Sequence, residues 1–445
     1  MTPDRQFEKS EIEKLVGEPI TDFSSSSGSN KGDNVAGTLL ALKVTTAAGK
    51  ELNLVYKSFP SDNPEQRQYV VQFGIFRTET CMYEKVFPRL KELVALRKAA
   101  KNIELPTVKY ISGFNDDQND YVCLEDMRPE GYIMQDKFQS LTSAEVTLIM
   151  KEMAKFHALT YFMLRYDGER IFEEDDRVSK LKYNAFTIEN PMMIEMGTRM
   201  FYGYMENTVT LLEDRDKSLA EHVKNFVGKH SRHSFHALTR FNSKRTDKES
   251  FPCIIHGDLW TNNVLFKYES SGGRDAPTQL KFIDFQLSRR GNIFEDLGYF
   301  FWTSTTPQFR KLHLDQMLSI YTKSFEDTMD QLDYPKPEGF SRGYVIDKFY
   351  QGMLGSYTFM PFALSLQMGD LEAVLEDKDE KVTNGASTNG EKQKEEAQSG
   401  PPAIDFDKMM EANNAMMLLR MKKSPRALQR LEDLTREAVE RKLLL

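Results

Sequence analysis

The sequence predicts an α+β protein in two lobes, a small β-rich N-terminal lobe and a large, mainly helical C-terminal one. Three observations carry this. The β-like runs 39–46 and 51–58 flank Ala47-Ala48-Gly49-Lys50, the pattern of two strands joined as a hairpin. From Thr142 onward, apolar residues recur at spacings of three and four, the period of a helix with one buried face. Within that helical part, strand character returns only at 252–256, 263–268 and 279–285.

Each element follows from its own pattern. Along 51–58, Leu52, Leu54 and Tyr56 share one face, and Asn53, Val55 and Lys57 share the other, because side chains alternate across a strand. Phe76, Met82, Tyr83 and Val86 fall at helical spacing, and this helix is expected to stop near Pro88, whose ring and missing N–H oppose continuation. The run 121–124 reads as a short strand ended by Glu125-Asp126. Thr142 or Ser143 is placed to cap a helix that carries Val146, Ile149, Met150, Met153 and Phe156. Residues 308–330 and 343–370 also read as helix. The stretch from Glu376 to Pro402 has no aromatic residue and is expected to be a disordered insertion, since it has too little apolar surface to offset ordering entropy. Helical patterning resumes from Ile404 to Leu445, interrupted at Pro425. The expected divisions are therefore 1–124, a connector at 125–131, 132–375, an insertion at 376–403, and a helical segment at 404–445.

Charge and composition exclude several classes. The 59 basic and 67 acidic side chains leave a formal charge of −8, which does not suit a chain that neutralises nucleic-acid phosphates. Cys81, Cys123 and Cys253 are three and widely spaced, which argues against a disulfide framework and for a reducing compartment. The stretch Met1–Ile20 mixes acids and bases without an apolar core, unlike a secretory signal. No apolar run reaches the roughly 18 residues of a membrane span. Cytoplasmic localisation is the expectation.

The densest chemistry lies in His256-Gly257-Asp258-Leu259-Trp260-Thr261-Asn262-Asn263, followed by Ile283-Asp284-Phe285-Gln286. Asp258 falls on a loop after an apolar strand, Asn263 starts the next strand, and Asp284 ends the one after it. Pairing of those two strands across a Ser-, Gly- and Pro-containing hairpin would bring Asn263 and Asp284 together. One carboxylate and one amide oxygen suit a hard cation such as Mg²⁺, which keeps its other positions for phosphate and water. Asp258 would then face the metal site without ligating it, where an aspartate accepts the proton of an attacking hydroxyl. This is the order of catalytic residues in kinases. The alternative is a buried polar turn network with no catalytic role.

These strings resemble the ecdysteroid kinase-like family, also called CHK kinase-like, related to choline kinases and aminoglycoside phosphotransferases. The resemblance rests on HGDLWTNN and IDFQ, with support from SGSNKGDNVAGTLLALKV, FRTETCMYEKVFPRL, VCLEDM and EDLGYFF in the family's order, across about 20–370. It implies a protein-kinase-like two-lobed fold, with 1–124 as the ATP-binding lobe, 125–131 as the hinge, and 132–375 as the catalytic and acceptor lobe. It implies that Lys57 contacts the α- and β-phosphates of ATP, that Glu79 pairs with Lys57, and that Glu125 and Met127 bracket the hinge whose backbone groups meet the adenine. By the same resemblance Asp258 is the catalytic base, and Asn263 and Asp284 bind Mg²⁺. The acceptor would be a hydroxylated small molecule, an ecdysteroid or other steroid or a xenobiotic, and the enzyme a monomer. Rival readings are a choline- or aminoglycoside-like phosphotransferase and a nucleotide-binding pseudokinase.

The sequence departs from protein kinases in ways that favour a small acceptor. The phosphate-covering loop is assigned to Ser24–Asn34, where Gly28 and Gly32 allow positive φ and Ser27 and Ser29 offer hydroxyls. His256-Gly257-Asp258 replaces His-Arg-Asp, no Ala-Pro-Glu is present, and Gln286 stands where glycine would be. Several residues keep a plainer reading beside a functional one. His256 is read as holding its loop by hydrogen bonds, and His157 as a core histidine. Trp260 either packs or faces a ligand. His230, His233 and His236 have metal-like spacing but read as a polar surface loop. Phe162, Tyr202, Tyr204, Phe301 and Trp302 either fill the core or line an acceptor pocket, with core the default.

Overall fold

Alternating burial along two neighbouring strands organises the N-terminal lobe. The computed structural model describes residues 6–28, 37–59, 67, 70–71, 74–100, 103–173, 181, 191–230, 251–269, 273–370 and 406–445. The chain opens with α1 (Lys9–Val16), β1 (Ile20–Ser27), β2 (Thr38–Thr46) and β3 (Glu51–Ser58). After these come α2 (Ile75–Cys81), α3 (Phe87–Ala95), β4 (Tyr110–Phe114) and β5 (Tyr121–Glu125). The five strands form one antiparallel sheet in the order β1-β2-β3-β5-β4. Leu54 and Tyr56 of β3 join Ile12 and Leu15 of α1 with Leu40, Leu42, Val44 and Cys123 in one apolar layer. On another side of the lobe Phe59, Val70, Ile75, Phe76 and Val122 form a second cluster. Lys57 alternates with Tyr56, so it leaves the first layer and passes over the Phe76 ring at 5.8 Å.

Two expectations for this lobe need correction. The helix does not stop near Pro88. A π turn (Met82–Val86) joins α2 to α3, and the Phe87 N–H reaches the Met82 carbonyl five residues back. The inserted residue resets the helical register, so that Pro88 falls in the first turn of α3, where its missing N–H is tolerated. Ser24–Ser27 are not loop: they belong to β1 and pair with Leu40–Lys43. Gly28 has no positive φ; a Cβ there would lie 2.9 Å from the Leu39 carbonyl carbon, so close strand approach is what requires glycine.

The C-terminal lobe carries β6 (Ile133–Met134), α4 (Ser143–Asp167), α5 (Pro191–Glu213) and α6 (Lys217–Lys229). It continues with β7 (Cys253–Ile255), β8 (Val264–Tyr268), β9 (Pro277–Phe282) and β10 (Arg289–Gly291). Helices α7 (Ile293–Ser304), α8 (Pro307–Gln331), α9 (Arg342–Gln367), α10 (Phe406–Lys423) and α11 (Pro425–Glu440) complete the described elements. Thr142 caps α4 in a reciprocal box: its hydroxyl accepts the Glu145 N–H at 3.2 Å, and its own N–H donates to Glu145 Oε2 at 2.7 Å. Strands β6, β8 and β9 form one small sheet, and β7 and β10 another. The molecule thus has an α+β plan, with a sheet-built N-terminal part and a helical C-terminal part.

The chain separates into two compact units, Met1–Ala185 with Ser243–Met353, and Phe186–Asn242 with Leu354–Leu445. All ten described strands and α4, α7 and α8 lie in the first unit. The second is helical and holds α5, α6, α10, α11 and the end of α9. Within it, Met410, Met417 and Met421 are buried, and Tyr357 donates to Thr435 Oγ1 at 3.1 Å. Asn207 Nδ2 donates to the Asn414 carbonyl at 2.8 Å. Residues 376–403 lie outside the described residues. Among the described residues, no helix is long and apolar enough to cross a membrane.

Candidate active site

The two hairpin-like pairings of the C-terminal lobe place its polar loops. β7 runs into His256-Gly257-Asp258 and pairs with β10, which follows Gln286 by a few residues. β8 begins one residue after Asn263, β9 ends two residues before Asp284, and Val264 pairs with Phe282. The Ile283 N–H then donates to the Asn263 carbonyl at 3.1 Å. The juxtaposition expected from the strand spacing is therefore present at the backbone.

Lys57 is the centre of the site. Its Nζ donates to Asp284 Oδ1 at 2.6 Å, Glu79 Oε2 at 2.7 Å and Gln286 Oε1 at 3.0 Å. Burial alone would lower the Lys57 pKa, but the Asp284 and Glu79 carboxylates outweigh it and hold the ammonium above its ordinary range. Burial pushes the Glu79 carboxyl upward against the opposing pull of the Lys57 ammonium. Phe285 is fully buried, with its ring 4.6 Å from His256 and 4.9 Å from Phe87. That packing anchors the neighbouring Asp284, which adopts φ 65°, a left-handed conformation aspartate tolerates better than most residues.

Asp258 is held from two sides. Tyr299 on α7 donates to its Oδ1 at 2.6 Å, and Asn263 Nδ2 donates to its Oδ2 at 3.2 Å and to its carbonyl at 2.7 Å. Behind it, Asp296 of α7 acts as a buried hub. Its Oδ2 accepts the His256 N–H at 2.8 Å, and its Oδ1 accepts the Gly257 N–H at 2.8 Å. His157 Nε2 stands 3.0 Å from Oδ2, and its Nδ1 stands 2.7 Å from the Tyr321 hydroxyl. Burial would raise the Asp296 pKa, but His157, His256 and the loop N–H groups lower it to about 2. His256 donates through Nε2 to the Ile283 carbonyl at 3.0 Å and accepts the Asp258 N–H at Nδ1, 3.3 Å away. Burial lowers its pKa, so the neutral ring ties the Asp258 loop to the Asp284 strand.

Gly257 is required by both conformation and space. It has φ 83°, and a Cβ would lie 2.1 Å from the Leu287 carbonyl oxygen. Gly257→Ala is expected to cost at least about 2 kcal/mol, read as a lower urea midpoint at unchanged slope.

Lys57 thus joins Glu79 to Asp284, which lies 227 positions further along the chain, and Asn263 joins Asp258 in the neighbouring turn. Residues 31–334 match the ecdysteroid kinase-like family. The chain belongs to that family. No curated protein matches the chain. Solved structures that match include the apoenzyme of macrolide 2'-phosphotransferase MphH from Brachybacterium faecium, at 10% identity and TM-score 0.35, with 85% of this chain and 97% of that one covered. Another is an aminoglycoside-3'-phosphotransferase of type VIII, at 14% identity and TM-score 0.29, with 76% of this chain and 98% of that one covered.

The remaining expected positions in this ecdysteroid kinase-like chain lie around the cluster. Glu125 ends β5 opposite Leu54, three residues along β3 from Lys57. Met127 is buried, and its carbonyl accepts the Glu130 and Tyr132 N–H groups. Ser27 ends β1, and the Gly28 N–H donates to the Leu39 carbonyl at 2.9 Å. Ser29 and Gly32 lie outside the described residues, as do His233 and His236. His230 ends α6 with its ring 4.8 Å from Phe226. Phe162, Tyr204, Phe301 and Trp302 are buried, in keeping with the core reading, and Tyr202 and Trp260 are half-buried.

Sequence reasoning missed Asp296, Tyr299 and the Gln286–Lys57 bond. A signal for the first existed: Glu295-Asp296 interrupts an otherwise apolar run in a helix with every residue buried, where an unpaired acid would be prohibitive.

Among the described residues, no three His, Cys, Asp or Glu side chains cluster as a metal site. The donor set nonetheless fits Mg²⁺ completed by phosphate oxygens and water. Asn263 directs its amide hydrogens at Asp258, which leaves Oδ1 as its outward atom. Asp284 engages Lys57 through Oδ1 and keeps its side chain 26% exposed.

Proposed function

We propose that the chain is an ATP- and Mg²⁺-dependent kinase that phosphorylates a hydroxyl of a small molecule, with an ecdysteroid or other hydroxylated steroid or xenobiotic as acceptor. The observation that carries this reading is Lys57 Nζ held within 2.7 Å of both Glu79 and Asp284, beside a turn that presents Asp258 and Asn263 together. A buried polar turn network gives no reason for a lysine on a distant strand to complete it.

In this reading Lys57 holds the α- and β-phosphates, and Glu79 fixes the direction of its side chain. Asn263 and Asp284 would hold Mg²⁺, which supplies charge neutralisation at the transferring phosphate. Asp258 accepts the proton of the acceptor hydroxyl while that oxygen bonds to phosphorus and ADP departs. Tyr299 occupies Oδ1 of Asp258, so Oδ2, with its longer contact to Asn263, is the oxygen placed to take the proton. The residues 125–131 connect the two lobes as the hinge at the adenine, between the nucleotide lobe at 1–124 and the acceptor lobe at 132–375. Glu125 and Met127 bracket that hinge, whose backbone groups meet the base, and Ser27, Gly28, Ser29 and Gly32 belong to the segment covering the phosphates.

Calorimetric titration with ATP tests the nucleotide and metal parts directly. The wild-type chain is expected to bind ATP more tightly with Mg²⁺ than without it, and Asp284→Ala to lose that difference. ATP binding that is indifferent to Mg²⁺ in the wild type would remove the metal role.

A further inference from the structure

We propose that Gln286 is a placeholder for phosphate: it occupies the third proton of Lys57 in the empty site and yields it when nucleotide binds. The inference rests on the kinase reading above and adds to it how the site is kept ready. A lysine ammonium has three hydrogens. All three are placed here, on Asp284, Glu79 and Gln286 at 2.6, 2.7 and 3.0 Å. Lys57 therefore has no spare donor for a phosphate oxygen, and one partner has to leave.

The three partners are not equal. The bonds to Asp284 and Glu79 are shorter and link opposite charges, whereas Gln286 offers a neutral amide oxygen at the longest distance. Charge-assisted bonds are about twice as strong as neutral ones, so the amide is the partner that exchanges. Glu79 is fully buried, which leaves its side chain little room to move. Gln286 is half-buried on the turn after Asp284, so its side chain has somewhere to go. A glycine at this position would leave the third proton to water. The glutamine keeps the ammonium aimed while it remains weak enough for an anionic phosphate to displace.

The two obvious substitutions then act in opposite directions. Gln286→Ala removes the competitor, and the dissociation constants of ADP and ATP are expected to fall about 2- to 10-fold, the range of one neutral hydrogen bond. Gln286→Glu installs a charged competitor, and the same constants are expected to rise about tenfold or more. Adenosine has no phosphate, so its affinity is expected to stay within about twofold in both variants, which also reports that the site is folded. The measurement is calorimetric titration of the full chain with adenosine, ADP and ATP. Weaker ADP and ATP binding by Gln286→Ala, with adenosine unchanged, would overturn the inference, because it would make Gln286 a direct phosphate contact. Equal losses for adenosine and ADP would also overturn it, by assigning Gln286 a structural role. A wild-type chain that binds neither ADP nor ATP would instead overturn the kinase reading beneath it.

Discussion

Asp258→Asn is expected to lower phosphoryl-transfer turnover by about 10²- to 10⁴-fold, the range for loss of a positioned general base, with ATP binding retained. The substitution conserves shape but removes the carboxylate that the proposed mechanism uses as its base. Tyr299 would still donate to the carbonyl oxygen of the new amide, as it now does to Oδ1 at 2.6 Å. The new NH₂ group would then face Asn263 Nδ2 across what is now a 3.2 Å hydrogen bond. Two donors in opposition add a local penalty to the lost base, so single-turnover chemistry should fall even at saturating ATP. Full turnover in this variant would remove Asp258 from the mechanism.

The second large effect is on stability. Asp296→Ala is expected to destabilise the first compact unit by about 3–5 kcal/mol, the cost of breaking a buried charged network. A typical domain has only about 5–15 kcal/mol in total. The carboxylate accepts the His256 and Gly257 N–H groups and faces His157. Its removal strands two buried backbone donors at the base of the Asp258 loop. The same group gives a pH signature. Its folded pKa of about 2 lies below its ordinary value of 3.8, so its stabilisation, about 2–3 kcal/mol, is complete above that ordinary value and fades as pH falls toward 2. Urea midpoints measured from pH 6 down to pH 2 should therefore fall less steeply in Asp296→Asn than in the wild type. Parallel slopes would show that other groups set the acid limit.

Local chemistry made much of the fold legible. The 39–58 hairpin, the Thr142 cap and the three short strands of the C-terminal lobe are written in neighbouring residues, and the structure places them close to their expected bounds. The π turn before Pro88 was not legible, because a single inserted residue in a helix leaves no mark in apolar periodicity. Neither was β1: Ser24–Ser27 have the composition of a linker, and only pairing with β2 makes them a strand. Within the site, the spacing from Asp258 to Asn263 to Asp284 could be read because one hairpin connects them. The contacts of Tyr299, Asp296 and Gln286 depend on elements folding back over long separations. Local pattern does not encode such contacts, although the buried acid in α7 hinted at one.

In the proposed mechanism, Lys57, Glu79, Asp258, Asn263 and Asp284 form a phosphoryl-transfer centre acting on a small hydroxylated acceptor. Mass spectrometry tests it most directly, with purified chain, Mg²⁺ and ATP offered ecdysteroids and other hydroxylated steroids, phenols, glycosides and choline-type amines. The prediction is that an acceptor gains one phosphoryl group in the wild type and none with Asp284→Ala. Transfer that persists undiminished in Asp284→Ala, or a wild-type chain that neither phosphorylates any acceptor nor binds ATP, would contradict it.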